Sequence, residues 1–285
     1  MSERDGYIPG VPCWVDTNQP DPAKAAEFYG GLFGWQLEES MPEGAPGSYL
    51  TARIRDGDVA AIASTQEGAP PVPAWNTYIW VDDADATAKQ VAQAGGSVLA
   101  EPFDVMDAGR MAVLADTEGA VFSVWQAREH RGSKVVNEHG AVNFNGLACR
   151  DVAAAERFYG EVFGWKQLPL PGSPMWMLPG YGDHLEESTP GLKEQVAGMG
   201  APDGFVDVVA QLVPIAEGDA DTPPHWNVTF ATDDVEATAA LATELGAEVL
   251  VGPVDAPWVR MSVIRDPQGA TFIASQFVAE NATPG

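Results

Sequence analysis

The chain has 285 residues, room for two domains of ordinary size, and its 45% hydrophobic against 20% charged residues supports a sizeable packed core rather than global disorder. With 15 Lys and Arg against 41 Asp and Glu, the net charge is -26, which repels phosphate backbones and anionic membranes. That excludes a nucleic-acid partner. No apolar run approaches the roughly 20 residues that span a bilayer, and the polar start Met1–Gly10 lacks a signal-peptide core, so a soluble, cytoplasmic protein is expected. Cys13 and Cys149 are too few for a disulfide framework and read as buried, reduced thiols. The four histidines, 130, 139, 184 and 225, show no metal-motif spacing.

The dominant signal is an internal repeat. FYGGLFGW at 28–35 returns as FYGEVFGW at 158–165, WNTYIWVDD at 75–83 as WNVTFATDD at 226–234, and GRMAVLADTEG at 109–119 as VRMSVIRDPQG at 259–269. The first pair lies 130 residues apart and the later pairs 151 and 150. The second half therefore carries about 21 extra residues, placed in the Gly/Pro-rich stretch 169–202 and read as a long loop.

In chain order, a short strand precedes a helix whose stripe is Ala25, Phe28, Tyr29, Leu32 and Phe33, capped by Asp21 before Pro22 and ended by Gly34. Thr77–Val81 reads as a strand, Ala84–Ala94 as a helix, and Val98–Leu99, Met111–Ala115 and Val121–Trp125 as strands, with a tight turn at Asp116–Gly119. The second half repeats the series. Ala155, Phe158, Tyr159, Val162 and Phe163 form the stripe after Asp151 and before Gly164. Val228–Thr232 is a strand, Val235–Leu245 a helix, and Glu248–Val251, Met261–Arg265 and Thr271–Ser275 strands. The unit is β-α-β-β-β, present four times. The expected divisions are a first domain at 8–130 (units 10–66 and 74–128), a linker at 131–138, and a second domain at 139–280 (units 140–213 and 224–278).

A paired β-α-β-β-β unit with FYxxxFGW after its first strand resembles the vicinal oxygen chelate superfamily, which includes glyoxalase I, extradiol dioxygenases and the bleomycin-resistance proteins. The pattern is most similar to the two-domain glyoxalase-like proteins of actinobacteria, some called hydroxylases and some found with polyketide pathways. The resemblance implies an α+β fold of two tandem glyoxalase-like domains, whose four units form cup-shaped mixed sheets with ligands inside the cups. It also implies metal ligands, His, Gln or Glu, early in each first strand and a Glu in each last strand. Counted from the helix-capping acids and the turn glycines, those positions hold Trp14, Asn76, Phe144 and Asn227, then Ser123 and Ile273. None is an ordinary ligand of a divalent metal, so no metal and no cofactor are expected.

Strand alternation places Trp14, Asp16 and Asn18, then Asn76, Tyr78 and Trp80, then Ser123 and Trp125 on the first cup's face. The second cup's face takes Phe144, Gly146 and Ala148, Asn227, Thr229 and Ala231, and Ile273. Trp176, Met177, Tyr181 and His184 of the long loop are read as able to cover its mouth. Cys13 is expected to point away from the cup. Asp16 and His225 are the candidate catalytic groups. The candidate ligand contacts are Trp14, Asn76, Tyr78, Trp80, Ser123, Phe144, Trp176, Tyr181, Asn227 and Thr229.

The leading expectation is a metal-independent tailoring enzyme of secondary metabolism, binding a small hydrophobic, oxygenated, aromatic and polyketide-like compound, with Asp16 moving a proton and Asn76 and Ser123 holding an oxygen. A non-catalytic binding or resistance protein, or an accessory to a partner oxygenase, stands beside it. A metal-dependent lyase, isomerase or dioxygenase using a displaced site at His225 or His184 is third. Monomer and homodimer both remain open.

Overall fold

The computed structural model describes residues 3–65, 73–168 and 174–282. The first unit runs β1 (Pro12–Gln19), α1 (Pro22–Phe33), β2 (Gln36–Glu39), β3 (Tyr49–Ile54) and β4 (Gly57–Ser64). The second runs β5 (Trp75–Trp80), α2 (Ala84–Gln93), β6 (Ser97–Val105), β7 (Gly109–Ala115) and β8 (Val121–Ala127). The third unit holds β9 (Val142–Cys149), α3 (Val152–Phe163), β10 (Lys166–Leu168), β11 (Met175–Met177), α4 (Tyr181–Ser188), α5 (Leu192–Gly198) and β12 (Val208–Pro214). The fourth holds β13 (His225–Ala231), α6 (Val235–Glu244), β14 (Glu248–Ala256), β15 (Val259–Arg265) and β16 (Thr271–Phe277). No helix of the described residues is long and apolar enough to cross a membrane.

Local chemistry explains the helices. The Asp21 side chain accepts the amide of Lys24 at 3.2 Å, and Asp151 accepts that of Ala154 at 2.9 Å, each satisfying an orphan donor of the first turn. Gly34 and Gly164, at φ 70° and 74°, end the two helices in the left-handed conformation that other residues avoid. Both apolar stripes are buried as expected. The strands run longer than the apolar pattern suggested. β6 continues to Val105 because Glu101 and Pro102, in a partly exposed stretch, hide its alternation.

The stretch read as a long loop is where the structure departs most from expectation. Residues 169–173 lie outside the described residues, and the remainder contains β11, α4 and α5. The inserted residues are this helix pair, set between β11 and β12, where the first half has only the tight turn from β3 to β4. Both helices start at glycines in positive φ, Gly180 and Gly191, without a side-chain cap bond, and so carry no start signal legible in sequence.

Each half forms one open eight-stranded sheet, in the orders β2-β3-β4-β1-β5-β8-β7-β6 and β10-β11-β12-β9-β13-β16-β15-β14. The first strands of the two units pair antiparallel at the centre, β1 with β5 and β9 with β13. Bulges interrupt the register of β6 and β14, bending these strands. The four repeat helices pack on one face of the sheets, between the two halves, α1 beside α6 and α2 beside α3. The α1 stripe shares its buried cluster with Phe230, Val235, Ala242 and Phe272 of the second half, and the α3 stripe shares its own with Ile79, Val91 and Phe122 of the first.

The repeated blocks meet in this shared interior. Tyr29 donates to Asp266 at 2.9 Å and accepts from Trp75 Nε1 at 3.1 Å; Tyr159 donates to Asp116 at 3.0 Å and accepts from Trp226 Nε1 at 3.1 Å. Each aspartate also holds its own tight turn through backbone amides. Each network joins two blocks of one half to the third block of the other.

Candidate functional site

The face of each sheet turned away from the helices is the cup face. In the first half it is filled by the protein's own side chains. Asp16, 3% exposed, accepts from Asn76 Nδ2 at 2.8 Å, from the Tyr78 hydroxyl at 2.7 Å and from the Tyr49 hydroxyl at 3.2 Å. Tyr49 in turn accepts from Trp14 Nε1 at 2.9 Å. Trp14, Tyr78 and Trp125 are buried, and the His130 ring stands edge-on against Trp14 at 4.3 Å. Trp80 is half-buried, with Tyr7 and Arg131 over it. Ser123 is buried beside Tyr78 in the register.

Burial pushes the Asp16 carboxyl above its ordinary range, and the bonds from Asn76, Tyr78 and Tyr49 pull part of the way back. Burial likewise holds His130 below its ordinary value, so its ring is biased towards the neutral form. The raised Asp16 sets a direction for stability. Between the unfolded carboxylate range near pH 4 and the folded value, the native state holds the proton more tightly than the unfolded state, so stability falls as pH rises through that window. Asp16→Asn lacks this titration. Its melting temperature relative to the parent protein is expected to rise as the pH is raised from about 4 to 7, as read by thermal unfolding at a series of pH values.

The second cup face differs at equivalent positions. Where the first has Trp14, Asp16, Tyr78, Trp80 and Trp125, the second has Phe144, Gly146, Thr229, Ala231 and Ser275; Ser123 to Ile273 and Ala127 to Phe277 run towards greater bulk. A Cβ on Gly146 would stand 2.6 Å from Asn227 Oδ1, so glycine makes room for this amide. Two oxygens on this floor, Asn227 Oδ1 and Thr229 Oγ1, are buried without a hydrogen-bond partner, although Thr229 is only 2% exposed. Buried polar atoms are normally satisfied. Around them, the register puts Val251, Val254 and Phe277 on the same face, each more than 40% exposed.

Several expected site residues fall elsewhere. Trp176 does not cover the second cup: its position on β11 turns it to the helix side, where it is fully buried against Tyr159 and Trp165 while its neighbours Met175 and Met177 take the other face. Tyr181 is buried on α4, and His184 lies on the same helix rather than in a loop. His225 opens β13 on the same face as Asn227 and Thr229 and is exposed, with Nδ1 bonded to the Pro223 carbonyl at 2.8 Å. It belongs to the second sheet and shares no site with Asp16. Cys13 does not point away from the cup: β1 bulges between Pro12 and Trp14, and the thiol joins the buried cluster of Trp14, Tyr78 and Trp125. Tyr49 and His130 were not anticipated. Tyr49 lies in a middle strand of its unit, outside the positions counted from caps and turns, and His130 follows the last strand.

The residues at the metal positions do not fit a divalent metal. Trp14 commits its only polar atom to Tyr49, Phe144 and Ile273 carry no ligating atom, and Asn76, Ser123 and Asn227 offer only neutral amide or hydroxyl oxygens in place of His or carboxylate. Among the described residues, no three His, Cys, Asp or Glu side chains gather to hold a metal elsewhere.

Comparison with known proteins agrees with this architecture. Residues 14–124 match the family described as the Glyoxalase/Bleomycin resistance protein/Dioxygenase superfamily, and residues 141–274 match the Glyoxalase-like domain. CFP32 of Mycobacterium tuberculosis, provisionally named a glyoxylase, is 38% identical over 275 residues, 95% of this chain and 97% of that one. The anthracycline biosynthesis protein DnrV of Streptomyces peucetius is 34% identical over 285 residues, 93% of each chain. Among solved structures, the Mn(II)-bound glyoxalase from Novosphingobium aromaticivorans superposes with a TM-score of 0.59 at 14% identity, over 97% of this chain and 83% of that one. The 2,3-dioxygenase LapB from Pseudomonas sp. KL28 gives 0.60 at 13% identity, over 95% and 93%. These two likenesses concern the fold alone. The chain belongs to the Glyoxalase/Bleomycin resistance protein/Dioxygenase superfamily, as two tandem glyoxalase domains.

Proposed function

We propose that this protein is a tailoring protein of secondary metabolism that binds a hydrophobic, oxygenated, aromatic and polyketide-like compound on the cup face of its second half, without a metal at the family's positions. One observation carries the reading: the second cup face has Gly146, Thr229, Ala231 and Ser275 where the first has bulkier side chains, and the oxygens of Asn227 and Thr229 are buried there without a hydrogen-bond partner. Asn227 Oδ1 and Thr229 Oγ1 accept from a phenol or hydroxyl of the ligand, and the apolar wall takes its rings. The names of DnrV and, on a second Streptomyces relative, DauV, both anthracycline biosynthesis proteins, support this ligand class.

His225 is the titratable group on the same face. A carbonyl oxygen only accepts, so the bond to Pro223 makes Nδ1 the donor and leaves Nε2 uncommitted. His225 Nε2 is then the base at the rim. In the first half, Asp16 is the group able to move a proton, and a ligand would reach it only by displacing Tyr78 or Tyr49. The alternative of a binding protein without chemistry is favoured by the neutral amide and hydroxyl of the second cup's floor.

The test incubates the protein with 1,8-dihydroxyanthraquinone, following binding by absorbance and the compound's fate by mass spectrometry. Saturable binding with conversion that His225→Gln abolishes, binding itself being retained, supports the enzyme. Binding with the compound recovered unaltered supports the carrier. Absence of binding across a panel of hydroxylated polycyclic aromatics contradicts both.

A further inference from the structure

A cavity of about 220 Å³ lies between the starts of β1 and β9, where Trp14 and Phe144 border it, and beneath α4 and α5; Asp16, Asn227 and Thr229 do not line it. The inserted helices build its wall, so it has no counterpart made the same way in the first half. Leu185, Leu192, Val196, Phe205 and Val209 give it an apolar lining. Arg4 and Tyr181 also line it, with Asn137, Asn143 and Asn145. The Tyr181 hydroxyl lies close to the Arg4 guanidinium, and burial keeps that phenol neutral and a donor. Arg4 donates to the backbone oxygen of Glu3 at 3.4 Å and makes no ion pair among the described residues. In a chain of net charge -26, an arginine free of carboxylates in the lining of this cavity is poised for an external anion.

We propose that this cavity is a second small-molecule site, distinct from the Asn227–Thr229 floor, that takes a monocarboxylate with an apolar body, its carboxylate held by Arg4 and Tyr181. Packed at the density of protein interiors, the space admits about ten non-hydrogen atoms, the size of a one-ring aryl acid. Burial in the apolar part holds the ring, and the guanidinium fork selects a carboxylate over a neutral amide of the same shape.

The probes are 3-phenylpropionate and its amide, 3-phenylpropanamide, titrated calorimetrically into the full chain. The acid is expected to bind with a dissociation constant of order 0.1 mM, at least about tenfold tighter than the amide. Arg4→Gln removes this preference while leaving the amide unchanged, and Val196→Trp, which fills the cavity, abolishes both. Thr229→Tyr, which fills the second cup, leaves both affinities unaltered and so separates this site from the proposed aromatic site. Thermal unfolding confirms that each variant is folded. The proposal is overturned if the acid does not bind saturably, if acid and amide bind equally, if the preference survives Arg4→Gln, or if Thr229→Tyr removes binding.

Discussion

Replacing Asp266 with alanine is expected to lower the free energy of unfolding by about 3–5 kcal/mol, the largest single loss foreseen outside the apolar core. This carboxylate, 4% exposed, accepts Tyr29 Oη at 2.9 Å and Gln19 Nε2 at 2.7 Å from the first half, and the amides of Gln268, Gly269 and Ala270 in its own turn. Alanine leaves several buried donors without an acceptor. Each unsatisfied donor costs about 1–3 kcal/mol, and partial rehydration keeps the total below the sum. Asp266→Asn retains one acceptor and should cost about 1–2 kcal/mol. Asp116→Ala removes the partner of Tyr159 and of its own turn, and should fall in the same range as Asp266→Ala. Because both networks and both apolar clusters cross between halves, urea unfolding of the parent chain should show one transition rather than two. A loss below about 1 kcal/mol for Asp266→Ala, or two resolved transitions, would contradict this account of how the halves are joined.

Thr229→Tyr should weaken the binding of hydroxylated aromatics by at least about 100-fold, or about 2.7 kcal/mol. The substitution copies the first half, where Tyr78 occupies the equivalent place, so the backbone already tolerates tyrosine in this register. In the first half the ring donates to Asp16; in the second its hydroxyl meets Asn227 Oδ1, which replaces the ligand with an internal donor. The variant should therefore be as stable as the parent or more so, since a buried orphan acquires a partner. Asn227→Ala removes one acceptor without filling the space, and a milder loss of about tenfold is expected from the missing hydrogen bond. Equal affinity in the parent and in Thr229→Tyr would place the ligand somewhere else.

What could be read from the sequence was set by locality. The stripe around Phe28 and Tyr29, the Asp21 cap and the Gly34 terminator act within one helix, and so do their repeats around Asp151 and Gly164. The face shared by Asn76, Tyr78 and Trp80 follows from strand alternation alone. The rest depends on distant partners or on irregular backbone. Tyr29 and Asp266 lie 237 residues apart and in different halves, so a helix stripe and a tight turn, each legible locally, do not reveal that together they brace the interior. Alternation failed at Cys13 because β1 bulges there. Trp176 was legible as an aromatic but not its face, since the flanking β10 and β11 have three residues each. The closure of Asp16 by Tyr49 needed a strand that counting from caps and turns does not reach. The contrast between the cups was present as residue pairs, but only the register shows that Asp16, Tyr78 and Trp125 share one floor and that their smaller counterparts share the other.

The central claim is that the first cup is filled by the protein itself and the second takes the ligand. A crystal structure of the protein with 1,8-dihydroxyanthraquinone tests it most directly. The account predicts the compound on the second sheet, its hydroxyl within hydrogen-bonding distance of Asn227 Oδ1 or Thr229 Oγ1, with the bonds of Asn76, Tyr78 and Tyr49 to Asp16 intact. A compound bound on the first sheet against Asp16, with Tyr78 or Tyr49 displaced, would contradict it.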